Sequence, residues 1–253
     1  MKHTTTPQHE WQAFWLAVGF LTRFPMLVNI DYSQRLMNHS SLYFPVVGLL
    51  LGVVYTLAFL LFDLAFSPLV SIILVVTLHL FVTGAFHEDG LADSVDALGG
   101  GYTVEKRLEI MKDSRIGTYG TVALVMALLL KVALLEDASH LWLALLAAPA
   151  VSRLTPLLLM ASLPYVSGRD TSKSKPVADG FSSGRLLVAA AFTLILVLSL
   201  SFWHPPLLPG TLTAVLLVAL CWGAYLRQQL GGYTGDNLGA SVVFGELILL
   251  MFL

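Results

Sequence analysis

Residues 68–96 read PLVSIILVVTLHLFVTGAFHEDGLADSVD, and this stretch decides how the chain folds. Its first part, residues 68–86, is almost wholly apolar, whereas its second part places four carboxylates within nine residues. Charged side chains beside hydrocarbon need partners, and such positions are usually functional. We therefore expect a membrane helix that ends at a functional acidic cluster.

The acidic residues are spaced to share one side of a helix. At about 100° per residue, Asp89, Asp93 and Asp96 fall within an arc of roughly 60°. Three like charges on one face repel each other, so this arrangement favours a cation among them. Because oxygen ligands suit a hard ion such as Mg²⁺, we predict a magnesium site formed by Glu88, Asp89, Asp93 and Asp96.

The composition is that of a membrane protein. The 253-residue chain is 57% hydrophobic and 12% charged, whereas soluble domains carry about 25% charged residues. The net charge of -2 says little about partners, and no basic tract indicates nucleic acid as a partner. We predict one integral membrane domain over residues 1–253.

Several segments approach the roughly 20 apolar residues that cross a bilayer. The six longest are residues 43–66, 68–86, 118–135, 141–163, 186–203 and 207–226, and a shorter seventh covers 238–253. Residues 11–28 are interrupted by Arg23 and Pro25, which indicates a short or interfacial helix, and Pro149 and Pro156 predict a kink in the fourth span. The prediction is an all-α polytopic helical bundle of about six to seven transmembrane helices plus interfacial helices.

The basic residues predict the orientation. They concentrate in the connections 87–117 and 164–185, whereas the connections 63–68, 136–140 and 204–210 contain no Lys or Arg. With alternating spans these two sets of connections lie on opposite sides, and the positive-inside rule places the basic set in the cytoplasm. The acidic cluster is therefore expected at the cytoplasmic face of the membrane.

A basic, glycine-containing segment follows the acidic cluster. Residues 112–120 read KDSRIGTYG, in which Arg115 is suited to clamp a phosphate and Lys112 to add positive charge. Gly117 would let the backbone approach a ligand closely. The alternative for these cations is that they anchor to lipid headgroups and set the topology. Lys112, Arg115 and Gly117 are our candidates for substrate binding.

A second glycine-rich segment precedes the last helix. Residues 231–239 read GGYTGDNLG, and the free N–H groups of a helix N-terminus favour anions. Asp236 is interpreted either as a helix N-cap or as a residue that completes a metal shell or orients a hydroxyl nucleophile. Thr234 in the same segment is a further candidate for substrate binding.

Isolated polar residues within the spans form a third group. Arg153 lies in mid-span and needs an internal partner, for which a buried acid or a substrate phosphate is plausible. Glu246 is open to a structural or a functional interpretation. His79 is expected to be a core histidine with satisfied hydrogen bonds, and Lys131 is expected to extend towards the membrane surface.

These motifs together resemble the cobalamin synthase family, the adenosylcobinamide-GDP ribazoletransferases. The resemblance is carried by EDGLADSVD at 88–96, KDSRIGTYG at 112–120 and GGYTGDNLG at 231–239, with LTRFP at 21–25, and it runs from about residue 14 to 246. It implies a multi-pass inner-membrane enzyme that requires Mg²⁺. Such an enzyme joins α-ribazole or its 5′-phosphate to adenosylcobinamide-GDP and releases GMP. It also implies that other late cobalamin-pathway enzymes gather nearby.

The resemblance suggests roles for the candidate residues. Mg²⁺ held by Asp89, Asp93 and Asp96 would bridge phosphate oxygens, and Arg115 with Lys112 would offset the remaining negative charge. We assign Asp89, Asp93 and Asp236 as catalytic, with Asp236 taking or orienting the proton of the ribazole 5′-hydroxyl. Arg153 and Thr234 are assigned to substrate binding. The family pattern can carry an apolar residue at position 88, so Glu88 is the weakest of the four metal candidates.

Two other functions are open to the sequence. A CDP-alcohol phosphotransferase also uses aspartates at membrane helix ends with Mg²⁺, but its usual signature spaces the acids more widely. An ion-coupled transporter would use the carboxylates as a cation site, although such sites usually lie near the midplane between repeats. Here the acids cluster at one boundary and no internal repeat is evident.

Overall fold

The computed structural model describes residues 6–30, 32–166 and 182–253, and these are almost entirely helical. The described part contains no β-strand, only an isolated bridge between Tyr165 and Tyr233. The thirteen α-helices of this part are α1 Pro7–Leu21, α2 Gln34–Ser40, α3 Phe44–Phe62, α4 Pro68–Thr83, α5 Phe86–Gly100, α6 Val104–Ile110, α7 Thr118–Asp137, α8 Leu141–Ser152, α9 Thr155–Ser162, α10 Ser183–Leu200, α11 Leu207–Leu217, α12 Gly223–Leu230 and α13 Gly235–Leu250. The predicted all-α fold is confirmed.

The helices long and apolar enough to cross a membrane number five, or six if one bent pair counts as a span. The five are Gln34–Phe62, Thr118–Asp137, Leu141–Ser162, Ser183–Leu200 and Leu207–Leu230, within the described residues. The bent pair is α4 with α5. The predicted seventh span is not among them: α13 begins at Gly235, has 16 residues and is largely buried against neighbouring helices.

The bend between α4 and α5 directs the acidic helix away from the preceding helix. The two helix axes differ by 85°, and the backbone turns through Gly84 at φ 68° and Ala85 at φ 54°. Both residues adopt the left-handed conformation, which glycine adopts easily and alanine rarely. The backbone N–H of Arg23 donates to the carbonyl of Val82 at 2.7 Å. This hydrogen bond holds the chain after α1 beside the bend.

The N-terminal segment forms α1, which begins earlier and ends earlier than predicted. Pro7 occupies the first turn, and the hydroxyl of Thr6 accepts a hydrogen bond from the backbone N–H of His9, so the helix begins there. It ends at Leu21, where the N–H and hydroxyl of Thr22 both donate to the carbonyl of Val18. Arg23 and Pro25 therefore follow the helix rather than interrupt it.

The fourth span is broken where the two prolines predict a kink. Helix α8 ends at Ser152 and α9 begins at Thr155, between Pro149 and Pro156. Arg153 lies at this break, and its Nη1 donates to the carbonyl of Pro149 at 2.8 Å. A carbonyl freed by a broken helix is thus satisfied by a buried guanidinium, as membrane interiors require.

Helices α5 and α13 pack closely and bring the acidic motif at 88–96 and the glycine-rich motif at 231–239 together. A Cβ built on Gly90 of α5 would lie 2.6 Å from the carbonyl oxygen of Asp236, so only glycine allows this approach. The amide of Asn237 on α13 donates to the hydroxyl of Ser94 on α5 at 2.9 Å. These contacts fix the start of α13 beside the acidic face of α5.

Candidate active site

The aspartates on the acidic face of α5 become more buried along the helix. Asp89 is exposed, Asp93 is partly buried and Asp96 is buried. The charges that act on Asp93 are those of Asp89, Asp236 and Asp96, and all three are negative. Within the described part of the chain, none of these aspartates forms an ion pair within 4.0 Å. We call Asp89, Asp93, Asp96 and Asp236 the aspartate cluster.

Asp96 holds the start of α7. Its carboxylate accepts hydrogen bonds from the backbone N–H of Gly117 at 2.7 Å and of Gly120 at 2.8 Å. These are orphan N–H groups of a helix N-terminus, where a negative charge is stabilising. Asp96 therefore has a positioning function of its own. Gly117, where the sequence predicts a close approach of the backbone to a ligand, donates its N–H to Asp96.

The residues on either side of the basic segment 112–116 contact residues at the aspartate cluster. Before it, the sulfur of Met111 lies 3.6 Å from the hydroxyl of Thr234. After it, Gly117 is hydrogen-bonded to Asp96. The exposed side chains of Lys112 and Arg115 therefore belong to the rim of the acidic site.

Arg115 makes a two-pronged contact with a neighbouring acid. Its Nε lies 3.0 Å from Oδ1 of Asp113, and its Nη2 lies 2.6 Å from Oδ2. The hydrogen bonds from Arg115 lower the pKa of Asp113 to about 2, and the same contact raises the pKa of Arg115. The Arg115 side chain is 86% exposed, so its fork is oriented at the surface, where a phosphate can compete with Asp113.

Thr234 caps the last helix rather than facing open space. Its hydroxyl accepts a hydrogen bond from the N–H of Asn237, whose side chain in turn accepts from the Thr234 N–H at 2.9 Å. This reciprocal pair is a capping box, and Thr234 is buried. The N-cap considered for Asp236 is thus Thr234, and Asp236 lies in the first helical turn with its charge beside that of Asp89.

Glu88 is directed away from the aspartate cluster. Its Oε1 lies 2.9 Å from Nε2 of His79, and the other ring nitrogen of His79 lies 2.9 Å from the hydroxyl of Tyr55. All three side chains are buried. His79 is a core histidine with both nitrogens bonded, as predicted. The geometry offers no support for Glu88 as a metal ligand, because the side chain is buried and its Oε1 is bonded to His79 in the core, although its Oε2 has no hydrogen-bond partner among the described residues.

A second buried acid is also paired. Glu246 lies 3.0 Å from the ammonium of Lys131, and both residues are buried. The expectation that Lys131 extends to the membrane surface is therefore wrong, and Glu246 takes the structural alternative. Its partner lies 115 positions away in the chain, so a local pattern could not identify it.

Arg153 and His87 line a cavity that the sequence analysis did not foresee. The cavity has a volume of about 170 Å³ and reaches Asp236. Arg153 is 1% exposed and His87 is 3% exposed. Arg153 forms no ion pair in the described residues, so the predicted internal partner is the carbonyl of Pro149 rather than a buried acid.

The aspartate cluster suits a hydrated divalent ion better than a closed cage. Among the described residues, three possible ligand atoms lie within 4.8 Å of one another only at His9, Glu10 and His39. The aspartates are more widely spread. Mg²⁺ keeps several waters and is usually bound by one or two carboxylates together with substrate phosphates. The oxygen donors, their like charge and their partial exposure therefore fit Mg²⁺.

These features together define a polytopic helical membrane protein with an acidic site and a basic rim at one end of the bundle. The chain belongs to the family described as Cobalamin-5-phosphate synthase, which it matches over residues 13–253. It is 41% identical to the adenosylcobinamide-GDP ribazoletransferase of Vibrio parahaemolyticus over 98% of this chain and 94% of that protein. The enzymes of the same name from Vibrio cholerae and Shewanella pealeana are each 42% identical, covering 97% and 95% of this chain and 94% and 93% of their own. No solved structure matches the chain.

Proposed function

We propose that this protein transfers α-ribazole, or its 5′-phosphate, to adenosylcobinamide-GDP with release of GMP. The observation that carries the proposal is the aspartate cluster, in which Asp93 faces the negative charges of Asp89, Asp96 and Asp236 and no member forms an ion pair among the described residues. A divalent ion bound together with a diphosphate substrate would supply the positive charge that these aspartates lack. The family and the names of its relatives specify the donor.

The reaction is a displacement at phosphorus. A free ribose hydroxyl of the acceptor, which in α-ribazole 5′-phosphate cannot be the 5′-hydroxyl, loses its proton, and its oxygen forms a bond to the phosphorus that is attached to cobinamide. The bond from that phosphorus to the bridging oxygen breaks, and GMP leaves with the electron pair. Catalysis of this kind depends on positioning and charge stabilisation more than on covalent chemistry. Mg²⁺, when bound, supplies charge neutralisation at the diphosphate.

The protein's own groups divide the remaining tasks. Asp89 and Asp93 would hold the ion, because both present carboxylates on the open side of α5. Asp236 would accept the proton of the attacking hydroxyl. Arg115 would exchange Asp113 for a phosphate oxygen, and Lys112 would add charge at the rim. Asp96, already bonded to Gly117 and Gly120, would keep the basic segment in place.

The same proposal includes the orientation in an inner membrane. Lys106, Arg107, Lys112 and Arg115 accompany the site in the connection between α5 and α7, and the positive-inside rule places such a connection in the cytoplasm. The other basic connection contains Arg169, Lys173 and Lys175, which lie outside the described residues. We propose that the active site faces the cytoplasm, where it would meet other late enzymes of the pathway.

The test is a condensation assay on the purified protein in detergent. We expect GMP and the joined corrinoid product from adenosylcobinamide-GDP and α-ribazole, and no product after chelation of Mg²⁺. A parallel reaction with a CDP-alcohol donor should release no CMP. Product formation that survives chelation would contradict the magnesium assignment, and CMP release alone would favour the phospholipid enzyme.

A further inference from the structure

The cavity beside Asp236 has aromatic walls. Phe20 contacts Phe44 and Phe86 with ring centroids 5.8 and 5.2 Å apart. Tyr165 and Tyr233 form a second aromatic pair at 5.6 Å. All five line the cavity, whose surface is mainly apolar. Such a space suits a flat apolar ring, since aromatic side chains stack on rings or contact their edges.

Two buried side chains that line this cavity carry nitrogen atoms without a hydrogen-bond partner among the described residues. These atoms are Nδ1 of His87 and the Nε and Nη2 atoms of Arg153. Both side chains are almost completely buried, and a buried polar atom without a partner is costly and rare. Arg153 is already fixed by its bond to the carbonyl of Pro149. Its two remaining nitrogens are therefore positioned to donate to a ligand.

We infer that this cavity binds the heteroaromatic base of the acceptor nucleoside, with Arg153 donating a hydrogen bond to the ring nitrogen. The inference rests on the proposed function, because α-ribazole carries 5,6-dimethylbenzimidazole, an apolar double ring with one nitrogen free to accept. His87 then faces a polar atom of the sugar. The base can therefore stack on the aromatic walls and accept a hydrogen bond from a guanidinium nitrogen that otherwise has no partner.

An anion fits the same cavity less well. A phosphate placed there would lie beside the carboxylate of Asp236, which also lines the cavity, and would be surrounded by apolar rings. Burial of an anion in such surroundings is expensive unless charges and hydrogen bonds compensate it. Arg153 supplies one positive charge to offset the cost of burying an anion. The base is therefore the better occupant.

The position of Asp236 connects the cavity to the chemistry. Asp236 lines the cavity and also lies beside the charge of Asp89. A nucleoside with its base in the cavity would consequently bring its sugar towards Asp236. This is the residue proposed to accept the proton of the attacking ribose hydroxyl.

The first test is thermal unfolding of the purified full chain in detergent, without donor and without Mg²⁺. We expect α-ribazole and free 5,6-dimethylbenzimidazole each to raise the Tm, whereas ribose 5-phosphate leaves it unchanged. Stabilisation by ribose 5-phosphate but not by the free base would overturn the inference in favour of an anion site. No stabilisation by the free base at its solubility limit would also overturn it.

The second test fills the cavity. Val242 lines the cavity and is buried, so Val242→Phe should remove the Tm increase caused by 5,6-dimethylbenzimidazole. In the condensation assay it should raise the KM for α-ribazole at least roughly tenfold and leave the KM for adenosylcobinamide-GDP within about twofold. Leu220→Phe, at a side chain that is 65% exposed, is the matched control and should change neither. Equal effects on both KM values would contradict the inference.

Arg153→Met examines the hydrogen bond itself. We expect it to weaken binding of 5,6-dimethylbenzimidazole more than binding of naphthalene, which has the double ring but no nitrogen. This comparison within one variant needs only a folded protein and no turnover. If Arg153→Met fails to fold, the Val242→Phe measurements decide the matter. Because base binding is measured without donor, a failed condensation reaction would count against the proposed function and not against the cavity.

Discussion

Two groups of acidic residues on α5 and α13 differ in the charges that surround them. Glu88 and Glu246 are buried, and each has a basic partner at 2.9 or 3.0 Å. The aspartate cluster faces like charges instead. Buried acids that complete an ion pair contribute to a structure, whereas acids left to repel each other indicate a ligand that arrives from outside. The comparison assigns structure to the first group and chemistry to Asp89, Asp93 and Asp236 of the second, in which Asp96 holds the start of α7.

The largest effect should come from the unpaired group. Asp93→Asn keeps the shape of the side chain and removes its charge, so we expect GMP release to fall at least about 1,000-fold, or roughly 4 kcal/mol in the barrier. Stability without Mg²⁺ should not decrease, because one of four repelling charges is gone. GMP assays and denaturant unfolding measure the two quantities. Asp63→Asn, at the exposed end of α3, is the control, and near-normal turnover of Asp93→Asn would refute the metal site.

The paired group should show the reverse behaviour. Lys131→Met leaves Glu246 charged and buried, and we expect a loss of about 3 kcal/mol in unfolding free energy, the lower end for broken buried pairs, since both side chains are about 9% exposed. Unfolding in detergent measures it. The double variant Lys131→Met with Glu246→Met should recover most of the loss. A double variant as unstable as the single one would mean that the charges do not act as a pair.

A smaller effect is expected from the contact that joins α5 to α13. Gly90→Ala puts a Cβ 2.6 Å from the carbonyl of Asp236, so α13 must move and carry Asp236 with it. We expect turnover to fall about 10- to 100-fold, because small displacements of reacting groups are that costly. Gly100→Ala, whose nearest contact would be 3.7 Å, should leave turnover unchanged. Equal turnover of both variants would place the critical geometry elsewhere.

The sequence predicts the features that depend on one helix at a time. The apolar spans follow from composition, the common face of Asp89, Asp93 and Asp96 follows from the helical period, and the break near Arg153 follows from Pro149 and Pro156. Each of these signals is contained in a single segment, and each appears in the structure.

Apart from the interpretation of Asp236 as a residue that completes the metal shell, the features that require two segments do not follow from the sequence. The partner of Glu246 lies on α7, and the partner of Glu88 lies on α4 beyond an 85° bend. The role of Asp96 depends on the start of α7, which is 21 residues further along. A periodicity places a side chain on a face, but only packing determines what that face meets. For this reason Glu88 was grouped with its neighbour Asp89, although the two lie on different sides of α5.

The smallest expected effect concerns two neighbouring residues, Glu88, which is paired with His79, and Asp89, which belongs to the aspartate cluster. Glu88→Gln retains an oxygen that can accept from His79, so we expect a stability loss of only about 1 kcal/mol and turnover within about threefold of the parent. Asp89→Asn, one position later, should reduce turnover far more and stability far less. GMP release and unfolding of the two variants, measured side by side, decide the assignment. If Glu88→Gln loses activity as Asp93→Asn does and regains it at high Mg²⁺, then Glu88 binds the metal and the division between paired and unpaired acids is drawn in the wrong place.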